Sequence, residues 1–161
     1  MKKQLKSFGF AFRGIGTAIC TEAHLRFHLV AALYVISAAF ICGFAPVRMA
    51  VLFILSGLVI SMELINTALE KVCDLVTTDY HPLVRAAKDI CAGAVLAIAI
   101  AAVGVAGFFF LDITVFNRLF AFFISRPLCI ALLVVISVLA VLFIWKGPAP
   151  VINRRKHNKK P

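Results

Sequence analysis

Four side chains able to do chemistry fall together in "SGLVISMELINTALEKVCDLV", residues 56–76. Glu63, Asn66, Glu70 and Asp74 follow a largely apolar run, with no proline or glycine after them to end a helix. At about 100° per residue the four lie within about 80° of arc, so they form one polar stripe on one helix face. Glu63 and Asp74 are roughly 16 Å apart along the axis. A carboxylate inside a bilayer costs about 2.5–3.5 kcal/mol on insertion scales, and such residues mark function by default. The bland alternative is a stripe satisfied by Lys and Arg of neighbouring helices for assembly alone.

The wider distribution of charge argues against that alternative. The chain has seven acidic residues: Glu22, Glu63, Glu70, Asp74, Asp79, Asp89 and Asp112. All but Asp112 fall at or near the cytoplasmic surface in the topology derived below. Clustered carboxylates with few cations at depth suit a hard divalent metal with oxygen ligands, most simply Mg²⁺. Lys88 and Arg85 nearby suit a nucleotide polyphosphate. Glu63 lies deeper, with lipid beside it, and suits a general base acting on a lipid hydroxyl. Together these residue types describe phosphoryl transfer from a water-side nucleotide to a lipid-side hydroxyl.

The elements that must position this stripe are apolar helices. Of 161 residues, 63% are hydrophobic and 15% charged, against about half and about a quarter in a soluble domain. Four apolar runs, 27–45, 49–72, 90–111 and 128–145, each have about the 17–25 residues needed to cross the hydrocarbon. No dyad alternation suggests a barrel, so the backbone must satisfy itself in helices. The expected fold is an all-α integral membrane protein. It has an N-terminal amphipathic surface helix over 5–21, a three-helix core within 1–111, and an additional fourth transmembrane helix within 112–161.

On the surface helix, Phe8, Phe12, Ile15 and Ile19 share one face while Lys6, Arg13, Thr17 and His24 share the other, the pattern of a helix lying in the interface. Glu22 breaks it: either the helix ends before Glu22, or its carboxylate points into the protein. With the N-terminus inside, segments 1–26, 74–89 and 146–161 are cytoplasmic and carry five, two and six Lys or Arg. That bias fits the positive-inside rule, so the net charge of +10 is a topology signal and not a nucleic-acid footprint. No cleavable signal peptide is recognisable. Five scattered cysteines have neither CxxC nor metal-site spacing and read as small buried residues. The small-residue run of the third span, from Ala92 through Gly107, favours close helix packing.

"ELINTALEKVCDLVTTDYHPLVRAAKDICAGAVL" (63–96), with its E-x-x-N-x-x-x-E-x-x-x-D face and the A-K-D that follows, resembles the small prokaryotic diacylglycerol kinase and undecaprenol kinase family. "FRGIGTAICTEAHLRFH" (12–28) is similar to that family's surface helix and first span. The resemblance covers residues 1 to about 110. It implies an ATP-dependent lipid kinase of the bacterial inner membrane, with both termini cytoplasmic, working as a homotrimer. Glu63 would be the base, helped by Asn66. Glu22 and Glu70 would hold Mg²⁺ on the ATP phosphates, Lys88 would contact the phosphates, and Asp89 and Lys3 the nucleotide. The Tyr-His-Pro and Arg-Phe-His pieces resemble the undecaprenol kinase branch more closely, with diacylglycerol as the alternative acceptor. The resemblance assigns no firm role to His24, His28 or His81, and Tyr80 reads as an interface anchor.

The fourth run departs from the family pattern. It holds no acidic residue and lacks the histidine and arginine motifs of the phosphatase fused at this point in longer relatives, so residues 112–161 are expected to be dispensable for chemistry. Two rivals of another class are a non-catalytic scaffold and a cation channel lined by the acidic stripe. A pore needs polarity through the whole depth, and residues 49–60 are apolar apart from Ser56.

Overall fold

The computed structural model describes residues 2–77 and 79–148, apart from the side chains of residues 2, 3 and 5. Among the described residues there are six helices and no strand: α1 (Lys2–Thr21), α2 (Ala23–Ile41), α3 (Pro46–Val76), α4 (Pro82–Phe110), α5 (Ile113–Ile124) and α6 (Pro127–Lys146). Four of them, α2, α3, α4 and α6, are long and apolar enough to cross a membrane. The protein is an all-α integral membrane protein. The basic tail beyond residue 148 and the side chain of Lys3 lie outside the described residues.

Local sequence sets the helix limits. Pro46, Pro82 and Pro127 each stand at the first position of a helix, where the missing N–H costs nothing and the fixed φ is already helical. This is why α3 and α4 begin before the apolar runs at 49 and 90: hydropathy marks the greasy portion of a helix, and proline marks its start. The α2–α3 turn is closed by Gly43 at φ +65°. The Gly43 amide donates to Phe40 O at 3.1 Å and the Phe44 amide to Ala39 O at 3.1 Å, a paired cap that needs a left-handed residue after the helix. The short helix α5, absent from the sequence reading, is capped by Asp112, whose carboxylate accepts from the Thr114 amide at 2.9 Å and from the Thr114 hydroxyl.

The break between α1 and α2 is a single residue. Glu22 is extended (φ −107°, ψ 114°) and contains the whole change of direction. Both alternatives left by the sequence therefore hold: the helix ends before Glu22, and the side chain is aimed at α3. The first span starts at Ala23, four residues before the apolar run, and takes Arg26 into its first turn, where the residue is only 5% exposed.

Packing radiates from α3, which lies against α4 and α2. α6 packs on α2, and α5 touches α2, α4 and α6. Leu25, Ala39, Leu52, Val59, Cys73 and Val95 form the buried apolar core. The outer faces are apolar and open: α6 has no buried residue and α4 only Val95. Hydrocarbon, not water, is the solvent such faces require.

Candidate active site

The part of α3 that carries the polar stripe is joined to the α1–α2 break by Lys71 and Glu22, and to the first turns of α4 by Asp74 and Lys88. Glu63, Asn66 and Thr67 are 5%, 8% and 6% exposed, a buried polar floor on an otherwise apolar helix. Asn66 Nδ2 donates to Glu70 Oε1 at 2.9 Å, one turn along the same face. The other end of that amide is different: Asn66 Oδ1 is buried and has no hydrogen-bond partner. An orphaned buried acceptor costs about 1–3 kcal/mol, and in a native structure it calls for an explanation.

Glu22 reaches the site from the helix break. Its Oε1 accepts from Lys71 Nζ at 3.0 Å and from the Thr21 hydroxyl at 2.7 Å, with the carboxylate 24% exposed. Partial burial alone would raise its pKa, but the Thr21 and Lys71 hydrogen bonds and the charges of Lys71 and Arg26 outweigh it. They hold the carboxyl below the usual range. Glu63 lies within electrostatic reach of His24, Glu70 and Glu22, so the three glutamates share one field. Beyond them, Lys88 Nζ pairs with Asp74 Oδ1 at 2.5 Å, which joins α4 to the end of the α3 stripe. Asp89 is exposed and turned to Arg85 Nε at 3.8 Å.

The stripe is therefore brought to Glu22, His24 and Lys88, while Glu22 and Glu70 remain on separate partners. Among the described residues no three His, Cys, Asp or Glu side chains gather as a ready metal cage. The donor set nevertheless fits Mg²⁺, which demands one or two carboxylates and takes its remaining ligands from water and phosphate. The unpartnered Asn66 oxygen beside the Glu70 carboxylate is oxygen chemistry of that kind.

An open crevice of about 650 Å³ runs between α1 and α3 beside the stripe, lined by Phe10, Arg13, Thr17, Leu64, Thr67 and Lys71 among others. Its walls are apolar and its cations, Arg13 and Lys71, lie on the two facing helices. A second cavity, about 220 Å³, lies between α2, α3 and α4 and includes Val59, one turn from Glu63, with His28 and Ser56.

Sequence reasoning missed two contributors. Lys71, which holds Glu22, has no part in the sequence reading, although it stands next to Glu70 and about 80° from Glu63 on the wheel. Arg26 was assigned to the cytoplasmic charge count. No local signal marks Arg26, whose hydrogen-bond partners are backbone carbonyls of α1 and α6.

Residues 9–110 match the family described as prokaryotic diacylglycerol kinase. The chain belongs to that family. It is 40% identical over 100 residues to an undecaprenol kinase of Bacillus subtilis, covering 62% of this chain and 81% of the relative. It is 46% identical over 104 residues to a diacylglycerol kinase of Synechocystis, covering 64% of this chain and 59% of the relative. A diacylglycerol kinase of Escherichia coli is 32% identical over 99 residues, covering 62% of this chain and 81% of that one. No solved structure matches the chain. The protein is thus a lipid kinase of the prokaryotic diacylglycerol kinase family, and the matched region holds Glu22, Glu63, Asn66, Glu70, Lys88 and Asp89. The helices α5 and α6 lie outside it.

Proposed function

We propose that this kinase transfers the γ-phosphoryl group of ATP to a membrane lipid alcohol, undecaprenol ahead of diacylglycerol. The single observation that carries the reading is the buried Glu63–Asn66–Glu70 face, with its unpartnered Asn66 oxygen, meeting Glu22 at the end of an apolar span.

Glu63 is the deepest carboxylate and the general base. It accepts the hydroxyl proton as the lipid oxygen forms its bond to the γ-phosphorus and the bond to the ADP oxygen breaks. Asn66 holds Glu70 through its amide N–H and offers its free oxygen to the phosphate side. Lys88, released from Asp74, and Asp89 bind the nucleotide at the outer end of the stripe, and Lys3 is assigned to the same task. Glu70 and Glu22 would hold Mg²⁺, which supplies neutralisation of the polyphosphate charge. Positioning and charge stabilisation account for most of such a reaction, because the transferring group needs little covalent help. The crevice between α1 and α3 would take the lipid headgroup, with Phe10 offered to the chains and Arg13 and Lys71 to phosphate.

The proposed location is the inner face of the bacterial cytoplasmic membrane with both termini cytoplasmic, which the Lys and Arg bias supports. A homotrimer fits the small residues Gly93, Ala97, Ala101 and Gly104, which run along an exposed face of α4. Diacylglycerol remains the second acceptor because a relative bearing that name is 46% identical. Purified protein in mixed micelles, given ATP, Mg²⁺ and both lipids in competition, tests the reading. Phosphate appearing mainly on undecaprenol supports it. Transfer mainly to diacylglycerol favours the second acceptor, and transfer to neither would reject the kinase assignment.

A further inference from the structure

Arg26 makes contacts that neither the phosphoryl-transfer chemistry nor the family match uses. Its Nη1 donates to Ile19 O at 2.8 Å and Cys20 O at 3.3 Å, two last-turn carbonyls of α1. Its Nε donates to Ile144 O at 3.0 Å, in the last turn of α6, 118 residues away. One buried cation thus serves two helix C-termini, the ends where unpaired carbonyls and the helix dipole favour positive charge. Gly147 is fitted to it. A Cβ there would stand 2.9 Å from Arg26 Nη1 and 3.0 Å from Cζ, and the residue has φ +63°. A side chain is therefore opposed twice, by the guanidinium and by the backbone conformation.

The α1 carbonyls that Arg26 holds lie two and three residues before Glu22, and the Arg26 charge also acts on the Glu22 carboxylate. A second pin fastens α6 deeper in the bundle. Ser137 Oγ donates to Leu133 O at 2.8 Å, so the Tyr34 hydroxyl donates to Ser137 Oγ at 2.8 Å.

We infer that Arg26 is a positioning residue that ties the C-terminal end of α6 to the α1–α2 break, so that the fourth transmembrane helix sets the position of Glu22 in the kinase site. The inference rests on the proposed role of Glu22 toward Mg²⁺ for its kinetic consequence, but not for the coupling itself. Lysine is a poor substitute at position 26, because a single ammonium cannot span two helix ends as a guanidinium fork does.

The test uses the full chain in lipid micelles and four variants: Gly147→Ala, Arg26→Gln, Tyr34→Phe and Glu22→Gln. Amide hydrogen exchange reads the coupling and steady-state kinetics its consequence. The expected result is that Gly147→Ala and Arg26→Gln speed exchange over residues 15–22 by about three- to tenfold, the range for losing a charged helix C-cap. Exchange in α3 should stay as in the parent. The Mg²⁺ concentration for half-maximal rate should rise by a similar factor, with the acceptor KM unchanged. Tyr34→Phe loosens α6 without touching Arg26 and should keep parental kinetics. Should Arg26→Gln fail to fold, Gly147→Ala decides alone. Unchanged exchange over 15–22 in Gly147→Ala would overturn the inference. So would faster exchange with parental kinetics, or a Tyr34→Phe loss equal to that of Gly147→Ala. If Glu22→Gln leaves the Mg²⁺ dependence as in the parent, the metal role of Glu22 fails. Exchange over 15–22, with a fall in kcat in Gly147→Ala, then still decides the coupling.

Discussion

Replacing Asn66 by Leu should leave stability nearly unchanged while removing most of the activity. Two terms oppose one another. The substitution deletes the Asn66 Nδ2 bond to Glu70 at 2.9 Å, a hydrogen bond to a carboxylate worth about 1.5–3 kcal/mol. It also deletes the buried Oδ1 that has no partner, which relieves a penalty of about 1–3 kcal/mol. The side chain is 8% exposed, and leucine has the same branched shape with a larger volume, so no cavity is left. The net change is then within about 2 kcal/mol of zero. Activity has no such compensation if, as proposed, the orphaned oxygen serves the bound state. A fall in kcat of about a hundredfold is expected, the usual loss for one preorganised polar group. Thermal unfolding in micelles, with and without ATP and Mg²⁺, read beside kcat, checks both halves. The ligand-free midpoint should match the parent, and the upward shift given by ligands should shrink. A destabilisation above about 3 kcal/mol, a size typical of a broken buried polar network, would show that Asn66 is architectural and refute the reasoning.

Glu63→Gln should lower turnover by about 10²–10⁴-fold, the range for loss of a general base, while nucleotide binding measured by fluorescent-analogue displacement survives; full activity would remove Glu63 from the chemistry. The depressed pKa of Glu22 makes its ion pair with Lys71 a stabilising contribution that is complete above the ordinary carboxylate pKa of about 4.3 and is lost as pH falls through the folded value. Parent and Glu22→Gln should accordingly differ in unfolding midpoint at pH 7 and converge on acidification, and a pH-independent difference would contradict the pairing. A chain truncated after Leu111 keeps Glu22, Glu63, Asn66, Glu70, Lys88 and Asp89 but deprives Arg26 of Ile144 O. In a phosphotransfer assay it should behave like Gly147→Ala, active but with a higher Mg²⁺ requirement, and parental kinetics would count against any role for α6.

The bundle was legible because its signals are local. Apolar length gave four spans, and the 3.6-residue period put Glu63, Asn66 and Glu70 on one face. Glu22 was legible as an anomaly, a carboxylate on the wrong side of an amphipathic helix. What escaped the sequence was contact across long separations. Nothing near Arg26 announces Ile144, and a charge count treats an arginine as solvated whether or not carbonyls surround it. Lys71 was overlooked for the opposite reason, since a lysine at a membrane edge already has an ordinary explanation there. The small helix α5 was hidden by its composition: Asp112 and Thr114 are a capping pair, but "ITVFNRLFAFFI" is too short to span and too greasy to look like a loop.

The unbroken length of α3 gives the bilayer a part in the reaction. Its 31 residues make a rod of roughly 46 Å, against roughly 30 Å of hydrocarbon. Pro46 starts the rod, Glu63 stands roughly 25 Å along it and Asp74 roughly 42 Å, with no hinge between them. On the proposed roles, the reacting hydroxyl and the nucleotide would be held at two fixed heights on one post, against which the membrane can shift. A thinner bilayer brings the headgroup plane down past Glu63, and a thicker one sinks Glu63 beneath it. Acyl-chain length would then act as a gauge, favouring the membrane in which an alcohol at the lipid surface arrives level with the proposed base.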